Sequence, residues 1–336
     1  MKRAGRLFES IVDASNLRLA FLKAIRGKRR SADVLLFCRD VDQNLGKIER
    51  RLRCLEPDWG HYRQFIVEEP KRRTITASSL EERIMHHAIM NVLEPIFERQ
   101  LIHHSYACRK GKGTHAAVQQ AFHLCKGGRF FLKLDVRRYF DSVDHDILKA
   151  RLARIIKDQR TLFLLGGVID SFCTSPGKGL PIGNLTSQFF ANFYLSGMDH
   201  FVLETLHPAG YVRYMDDFVS WHDDGGVLRR MHGLLEQYAD RELGLTLKPP
   251  VFGSSPAGLP FLGFRIASDG ISLPRKARDR IAGHARDMEK LLRCGGIGEE
   301  KAGERMRSVL AAISLARSRG FRVSLWHGGR PRAPTA

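Results

Sequence analysis

Two adjacent carboxylates, Asp216 and Asp217, stand between two apolar and aromatic stretches, Tyr211-Val212-Arg213-Tyr214-Met215 before them and Phe218-Val219-Ser220-Trp221 after them. Both stretches read as short strands, which puts the acids at the tip of a hairpin. Strand interiors are poor in Asp and like charges side by side repel, so the pair needs a reason to persist. A bound divalent cation is one reason, and a solvated turn is the other. A second acid tips the balance toward the cation: Asp135 ends the apolar run Phe130-Phe131-Leu132-Lys133-Leu134, and the pattern then changes to a turn and a helix over 142–156. Offered to one cleft, the three carboxylates form a hard-oxygen site of the kind that suits Mg²⁺ together with substrate phosphates. Two such ions about 3.5–4 Å apart can activate an attacking hydroxyl and stabilise the leaving oxygen of an in-line phosphoryl displacement. Nucleotidyl transfer is the reaction class that follows.

These residues resemble those of a known family. Tyr214-Met215-Asp216-Asp217 is similar to the catalytic box of reverse transcriptases, and Leu134-Asp135 to Phe140-Asp141 resembles their first palm motif. Between them, Gly179-Leu180-Pro181-Ile182-Gly183-Asn184-Leu185-Thr186-Ser187-Gln188 occupies the place of the third palm motif. The resemblance implies an RNA-directed DNA polymerase of α+β class with the right-hand polymerase fold: an antiparallel palm sheet with helices, fingers and a helical thumb. It implies Asp135, Asp216 and Asp217 as the catalytic residues. With the main chain at Val136, they would hold two Mg²⁺ ions, for which Mn²⁺ can substitute.

The resemblance also supplies a nucleotide-binding set. The stretch 62–75 reads as two strands joined by a basic loop, and Lys71 and Arg73 match the basic positions of the fingers hairpin that folds over a deoxynucleoside triphosphate; ordinary hairpin-tip charge is the alternative. Val136 joins this set, and Phe140, five residues after Asp135, matches an aromatic gate against the ribose 2′-hydroxyl, although a core aromatic would fit there too. Gly183 and Ser187 would touch nucleotide or primer–template. Lys248 matches a lysine that can protonate pyrophosphate. Ser105 to His115, rich in glycine, resembles a fingers motif suited to a template contact, and Phe261-Leu262-Gly263-Phe264 resembles the primer-grip turn. Asp141, Asp144 and Asp146 read as helix-start acids.

One motif departs from the common pattern. Ile182 precedes the glycine where Gln is usual, and Ser187-Gln188 replaces Ser-Pro. The Ile-Gly-x-x-x-Ser-Gln form resembles the enzymes of diversity-generating retroelements, which copy a template-repeat RNA with frequent errors at adenines; drift in a retron-like, intron-like or defence-associated enzyme is the alternative. Ile182 and Gln188 are therefore candidate fidelity residues beside the nucleotide. A catalytically silent RNA-binding protein is the reading from a different class.

Charge agrees with a nucleic-acid partner. The chain has 55 Lys and Arg against 36 Asp and Glu, a formal net charge of +19, and such an excess favours a polyanion. Template RNA, the RNA/cDNA duplex and a small helical accessory protein are the expected partners. No apolar run reaches the length of a membrane span, and the first residues have no uninterrupted signal core, so a cytoplasmic location is expected. The six cysteines show no Cys-x-x-Cys spacing and read as buried, reduced thiols.

The elements that must position these groups divide the chain into four parts. Residues 1–58 form a basic helical extension, with nine Lys or Arg against Glu9 and Asp13 among the first thirty; it is either a solvated face or a hold on RNA. Fingers and palm run over 59–269, with a helix over 79–101 that Pro95 breaks, a helix over 187–198, another over 227–241, and a palm-edge strand at 243–248. A helical thumb covers 270–326 and a disordered tail 327–336. Nothing in the remaining length resembles an endonuclease, ribonuclease H or maturase extension, which favours a polymerase working with partners supplied in trans.

Overall fold

The computed structural model describes residues 3–68, 72–127 and 129–326. Helices α1 (Phe8–Val12), α2 (Ala14–Ala24), α3 (Ala32–Phe37) and α4 (Val41–Arg53) come first. Asp13 caps α2 by accepting from the Ser15 and Asn16 amides, and Asp40 caps α4 through the Gln43 amide. Strands β1 (Tyr62–Val67) and β2 (Arg73–Ser78) lead to α5 (Leu80–Glu98), which starts on a capping box made by Ser79 and Glu82. That device satisfies two amides that a helix start otherwise leaves unbonded. Next come α6 (Thr114–Cys125), β3 (Phe130–Asp135), α7 (Tyr139–Ser142), α8 (His145–Ile155), α9 (Gln159–Asp170), α10 (Leu185–Tyr194) and α11 (Ser196–Phe201). The chain continues through β4 (Gly210–Tyr214), β5 (Asp217–His222), α12 (Gly225–Leu243), β6 (Val251–Ser254), β7 (Leu259–Phe261), β8 (Phe264–Ala267), β9 (Gly270–Ser272), α13 (Arg275–Arg293), α14 (Glu299–Ala312) and α15 (Arg319–Trp326).

The chain divides into two compact units, each assembled from separated segments. The first comprises residues 1–103, 135–207 and 233–248. Among its described residues it is helical apart from the antiparallel β1–β2 pair and a few isolated bridges, and Phe97 of α5 packs against Phe189, Phe190 and Phe193 of α10 in its core. The second comprises 104–134, 208–232 and 249–336. It carries a four-stranded sheet in the order β4-β5-β3-β6 and a three-stranded antiparallel sheet in the order β7-β8-β9. Its core joins Val212, Val219 and Trp221 to Phe261, Ile266 and, from the helical segment that follows, Ile281 and Ile313.

Several expectations need correction. Pro95 lies inside α5, which runs on to Glu98 because the next turn buries Ile96 and Phe97. The helix after Asp135 is two pieces: a single turn, α7, and then α8, capped by Asp144 through the Asp146 and Ile147 amides. Residues 243–248 do not form the palm-edge strand. Leu243 ends α12, Leu247 makes one isolated antiparallel bridge to Val136, and the edge strand is β6, paired with β3 over Phe130–Lys133. Pro249 and Pro250 stand between the two, and proline cannot donate to a ladder. Of the cysteines, Cys125 is buried and the other five are exposed; all six are free thiols. The tail at 327–336 lies outside the described residues.

Candidate active site

In the second unit, β4 and β5 pair from Gly210↔Trp221 to Tyr214↔Asp217, so the loop is only Met215-Asp216, and Asp217 is already the first strand residue. Met215 has φ 56°, a left-handed conformation that glycine usually fills in two-residue hairpin loops. Such a conformation costs about 1–3 kcal/mol and persists only where the surroundings impose it.

The surroundings do so here. Arg213 is fully buried and donates from Nη1 to the Met215 carbonyl at 3.0 Å. Its own amide donates to the His104 carbonyl, and its carbonyl accepts from the Tyr106 amide, both at 2.9 Å. Thr114 Oγ1 lies 3.2 Å from the Tyr214 hydroxyl. The glycine-containing segment expected to meet template therefore braces β4 from 105 to 114. Arg213 was not singled out from the sequence, because a charge inside a strand gives no sign of whether it faces core or solvent.

β3 lies beside β5 in the same sheet and ends in Asp135. Lys133, two residues before that end, places Nζ 3.2 Å from Asp217 Oδ2 and donates to the Pro260 carbonyl at 3.0 Å. Residues two apart on a strand share a face, so the sequence could place Lys133 on the face of Asp135 but could name neither of its partners. The primer-grip expectation finds its hairpin: β7 and β8 join through Leu262 at φ 49° and Gly263 at φ 86°.

In the first unit, Lys248 Nζ donates to Asp135 Oδ1 at 2.7 Å. The flanking main chain is fixed by Lys248 N to Asp135 O and Arg137 N to Thr246 O, both 2.8 Å. Antiparallel ladders alternate the direction of successive carbonyls, so this bridge does not consume the carbonyl of Val136. Phe140 is half-buried, with its ring edge-on to buried Tyr139, and its carbonyl accepts from the Leu180 amide at 2.7 Å. The loop that follows meets β2: the Thr76 amide donates to the Ile182 carbonyl at 2.7 Å. Gly183 has φ 115°, and a Cβ there would lie 2.8 Å from Ile75 Cγ2, so both conformation and space call for glycine. Arg73 is exposed on β2 opposite Val67, while Lys71 lies outside the described residues. Gln188 is half-buried on α10, next to buried Ser187. This unit thus gathers β2, the Ile182-Gly183 loop and Phe140 through successive main-chain bonds.

Among the described residues no three His, Cys, Asp or Glu side chains are grouped closely enough to hold a metal ion. The donors themselves nevertheless fit Mg²⁺. They are carboxylates, with side-chain exposures of 31% at Asp135 and 19% at Asp217, and the Val136 carbonyl adds a neutral oxygen. Oxygen donors of this kind, at Asp135 and Val136 in the first unit and at Asp217 in the second, leave ligand positions to water and phosphate, as magnesium prefers.

Residues 67–266 match the family model described as reverse transcriptase (RNA-dependent DNA polymerase). The chain belongs to that family. Among curated relatives, it is 28% identical over 166 residues to an uncharacterised 91 kDa protein in the cob intron of Schizosaccharomyces pombe, covering 47% of this chain and 21% of that protein. It is 27% identical over 150 residues to the group II intron-encoded protein LtrA of Lactococcus lactis, covering 42% of this chain and 25% of that protein. The chain thus spans a quarter or less of the length of these two relatives. Among solved structures, telomerase from Candida albicans in complex with a fragment of telomeric RNA superposes with a TM-score of 0.50 at 12% identity, over 82% of this chain and 58% of that one. At that identity the likeness speaks for the fold, and it agrees with the α+β, right-hand polymerase class expected of this reverse transcriptase.

Proposed function

We propose that the chain polymerises deoxynucleoside triphosphates on an RNA template, with Asp135, Asp216 and Asp217 as its catalytic carboxylates. The observation that carries this reading is the Met215-Asp216 loop: a strained turn, propped by a fully buried arginine, presenting two acids inside a family match. Residues held in such conformations cluster at functional sites. Two Mg²⁺ ions, held by the three carboxylates and the Val136 carbonyl, would supply activation of the primer hydroxyl and charge stabilisation at the leaving pyrophosphate. The chain's own residues do the rest. Lys71 and Arg73 grip the triphosphate, Phe140 excludes the 2′-hydroxyl, Gly183 keeps the nucleotide wall thin, and Lys248, bonded to Asp135, would deliver a proton to pyrophosphate.

The finer reading is a diversity-generating retroelement enzyme that copies a template-repeat RNA into adenine-mutagenised cDNA, with a small helical accessory protein as partner. Ile182 and Gln188 support it, since an apolar residue and a flexible amide replace a polar side chain and a rigid proline beside Gly183. A second reading, an intron-type reverse transcriptase, has the names of the curated relatives in its favour. In either case 59–269 would serve as fingers and palm, 270–326 as thumb and 1–58 as an RNA-holding extension, in the cytoplasm. The net charge of +19 predicts binding to single-stranded RNA that weakens with salt, with a log–log slope of roughly −0.7 per phosphate contact.

Primer extension on RNA with Mg²⁺ tests the activity, and sequencing of the cDNA tests the finer reading. Adenine errors that fall about tenfold in an Ile182→Gln, Gln188→Pro double variant fit the retroelement enzyme, on the scale of a lost or gained polar contact. Uniformly low errors in the parent chain favour the intron-type enzyme.

A further inference from the structure

We propose that Lys133 is a positioning residue, tying the Asp217 carboxylate to the main chain of the β7–β8 hairpin; the proposal rests on the polymerase reading above. The ammonium has three donors, and two of them have clear acceptors: Asp217 Oδ2 at 3.2 Å and the Pro260 carbonyl at 3.0 Å. Its Nζ also lies 5.9 Å from the centroid of the Phe261 ring. The side chains of Lys133 and Asp217 are each only 19% exposed, so solvent screens the pair less than it would a surface ion pair.

Pro260 is well suited to the other end of this strut. It faces Arg265 at a position of the β7–β8 ladder flanked by the Leu259↔Ile266 and Phe261↔Phe264 pairs. In a two-residue hairpin the pair next to the loop is the hydrogen-bonded one, so the Pro260 carbonyl points away from β8, and proline brings no N–H of its own. Lys133 meets that outward carbonyl. The strand at Pro260 and the carboxylate at the start of β5 therefore share this group. A change in the placement of the β7–β8 hairpin can therefore reach Asp217 through this ammonium.

The experiment uses the full chain with Lys133→Met, which keeps the length and removes the charge, and Lys133→Arg. In single-nucleotide primer extension we expect Lys133→Met to lower kcat about ten- to hundredfold, the range for a lost hydrogen bond to a charged group, with nucleotide KM within about threefold of the parent. Lys133→Arg should recover most of the loss. Mn²⁺ binding, read by electron paramagnetic resonance without substrate, should tighten in Lys133→Met, because an ammonium no longer competes for the carboxylate. Slower turnover together with tighter metal binding is a combination that general loosening of the sheet does not produce. A kcat within threefold of the parent, or weaker Mn²⁺ binding, overturns the proposal. If Lys133→Met does not fold, as read by its thermal midpoint, Lys133→Gln carries the same readings. If the parent chain extends no primer, the polymerase reading fails, and the Mn²⁺ titration still decides the contact between Lys133 and Asp217.

Discussion

The β4–β5 and β1–β2 hairpins are both antiparallel and both carry candidate site residues, yet they are built to opposite standards. In β4–β5 the residues 211–213 and 218–221 are all buried, and the loop is two residues long. In β1–β2 nearly the whole first strand is exposed, with Phe65 at 47% and Ile66 at 50%, and five residues separate the strands. What holds β1–β2 is gathered at its base. Tyr62 and Ser171 share a 2.6 Å hydroxyl hydrogen bond, with burial pushing the Tyr62 phenol up to about 12, the Gly60 amide donates to Glu82, and Thr76 is bonded to the Ile182 carbonyl. Opening free energy follows buried apolar contact. One hairpin therefore fixes the residues at its loop, while the other can change shape at little cost.

Variants in the two hairpins therefore separate in kind. Asp216→Asn and Asp217→Asn should bring primer extension below detection, since the chemistry tolerates no lost charge. The thermal midpoint should be unchanged in Asp216→Asn and lowered in Asp217→Asn, which also weakens the pair with Lys133. Retained extension in either variant would mark the turn as decorative.

Gly183→Ala, where the loop meets β2, should come next. The clash with Ile75 and the positive φ should cost about 1–3 kcal/mol, seen as a lower midpoint in denaturant and a raised nucleotide KM. Arg73→Ala should be milder, raising nucleotide KM severalfold with kcat nearly kept. A fall in kcat at constant KM would move Arg73 from grip to chemistry.

A last effect concerns the base of β1–β2. His86, stacked on Trp59 at 5.7 Å between centroids, is held neutral by burial, which lowers its pKa to about 3 from 6.5. The unfolded chain takes up a proton near 6.5 and the folded chain does not. Stability is therefore full above pH 6.5 and declines as pH falls toward 3, by about 1.4 kcal/mol per unit. His86→Leu should flatten that slope in urea titrations at pH 5 and pH 7; an unchanged slope would place the acid sensitivity elsewhere.

Chemistry was more legible in the sequence than its support. Asp135, Asp216 and Asp217 could be picked out because acids in apolar strands violate ordinary patterning, and Asp141, Asp144 and Asp146 as helix-start acids because carboxylates favour a helix's first turn. Both hairpins followed from alternation. Support from a distance left no local trace: the contact of Lys133 with Pro260 joins residues more than a hundred positions apart, and the burial of Arg213 depends on segment 104–106. The proline pair at 249–250 was visible, but its effect, dividing one expected strand into a bridge and β6, depends on which groups the neighbouring strand offers. Pro95 misled because tertiary burial of Phe97 outweighed local preference.

The interleaving of the two units has a kinetic consequence. The first unit is completed only by residues 233–248 and the second only by 249–336, so neither can close until most of the chain exists. At about 5–20 residues per second of synthesis, the first unit's opening 103 residues wait several seconds for their partners. During that wait the apolar faces of α2 and α5, which pack on each other, can shelter one another, whereas β3 has no neighbour until β5 and β6 have been made. Nascent chains arrested near residue 210 should therefore show a protease-resistant N-terminal helical core and an unprotected β3.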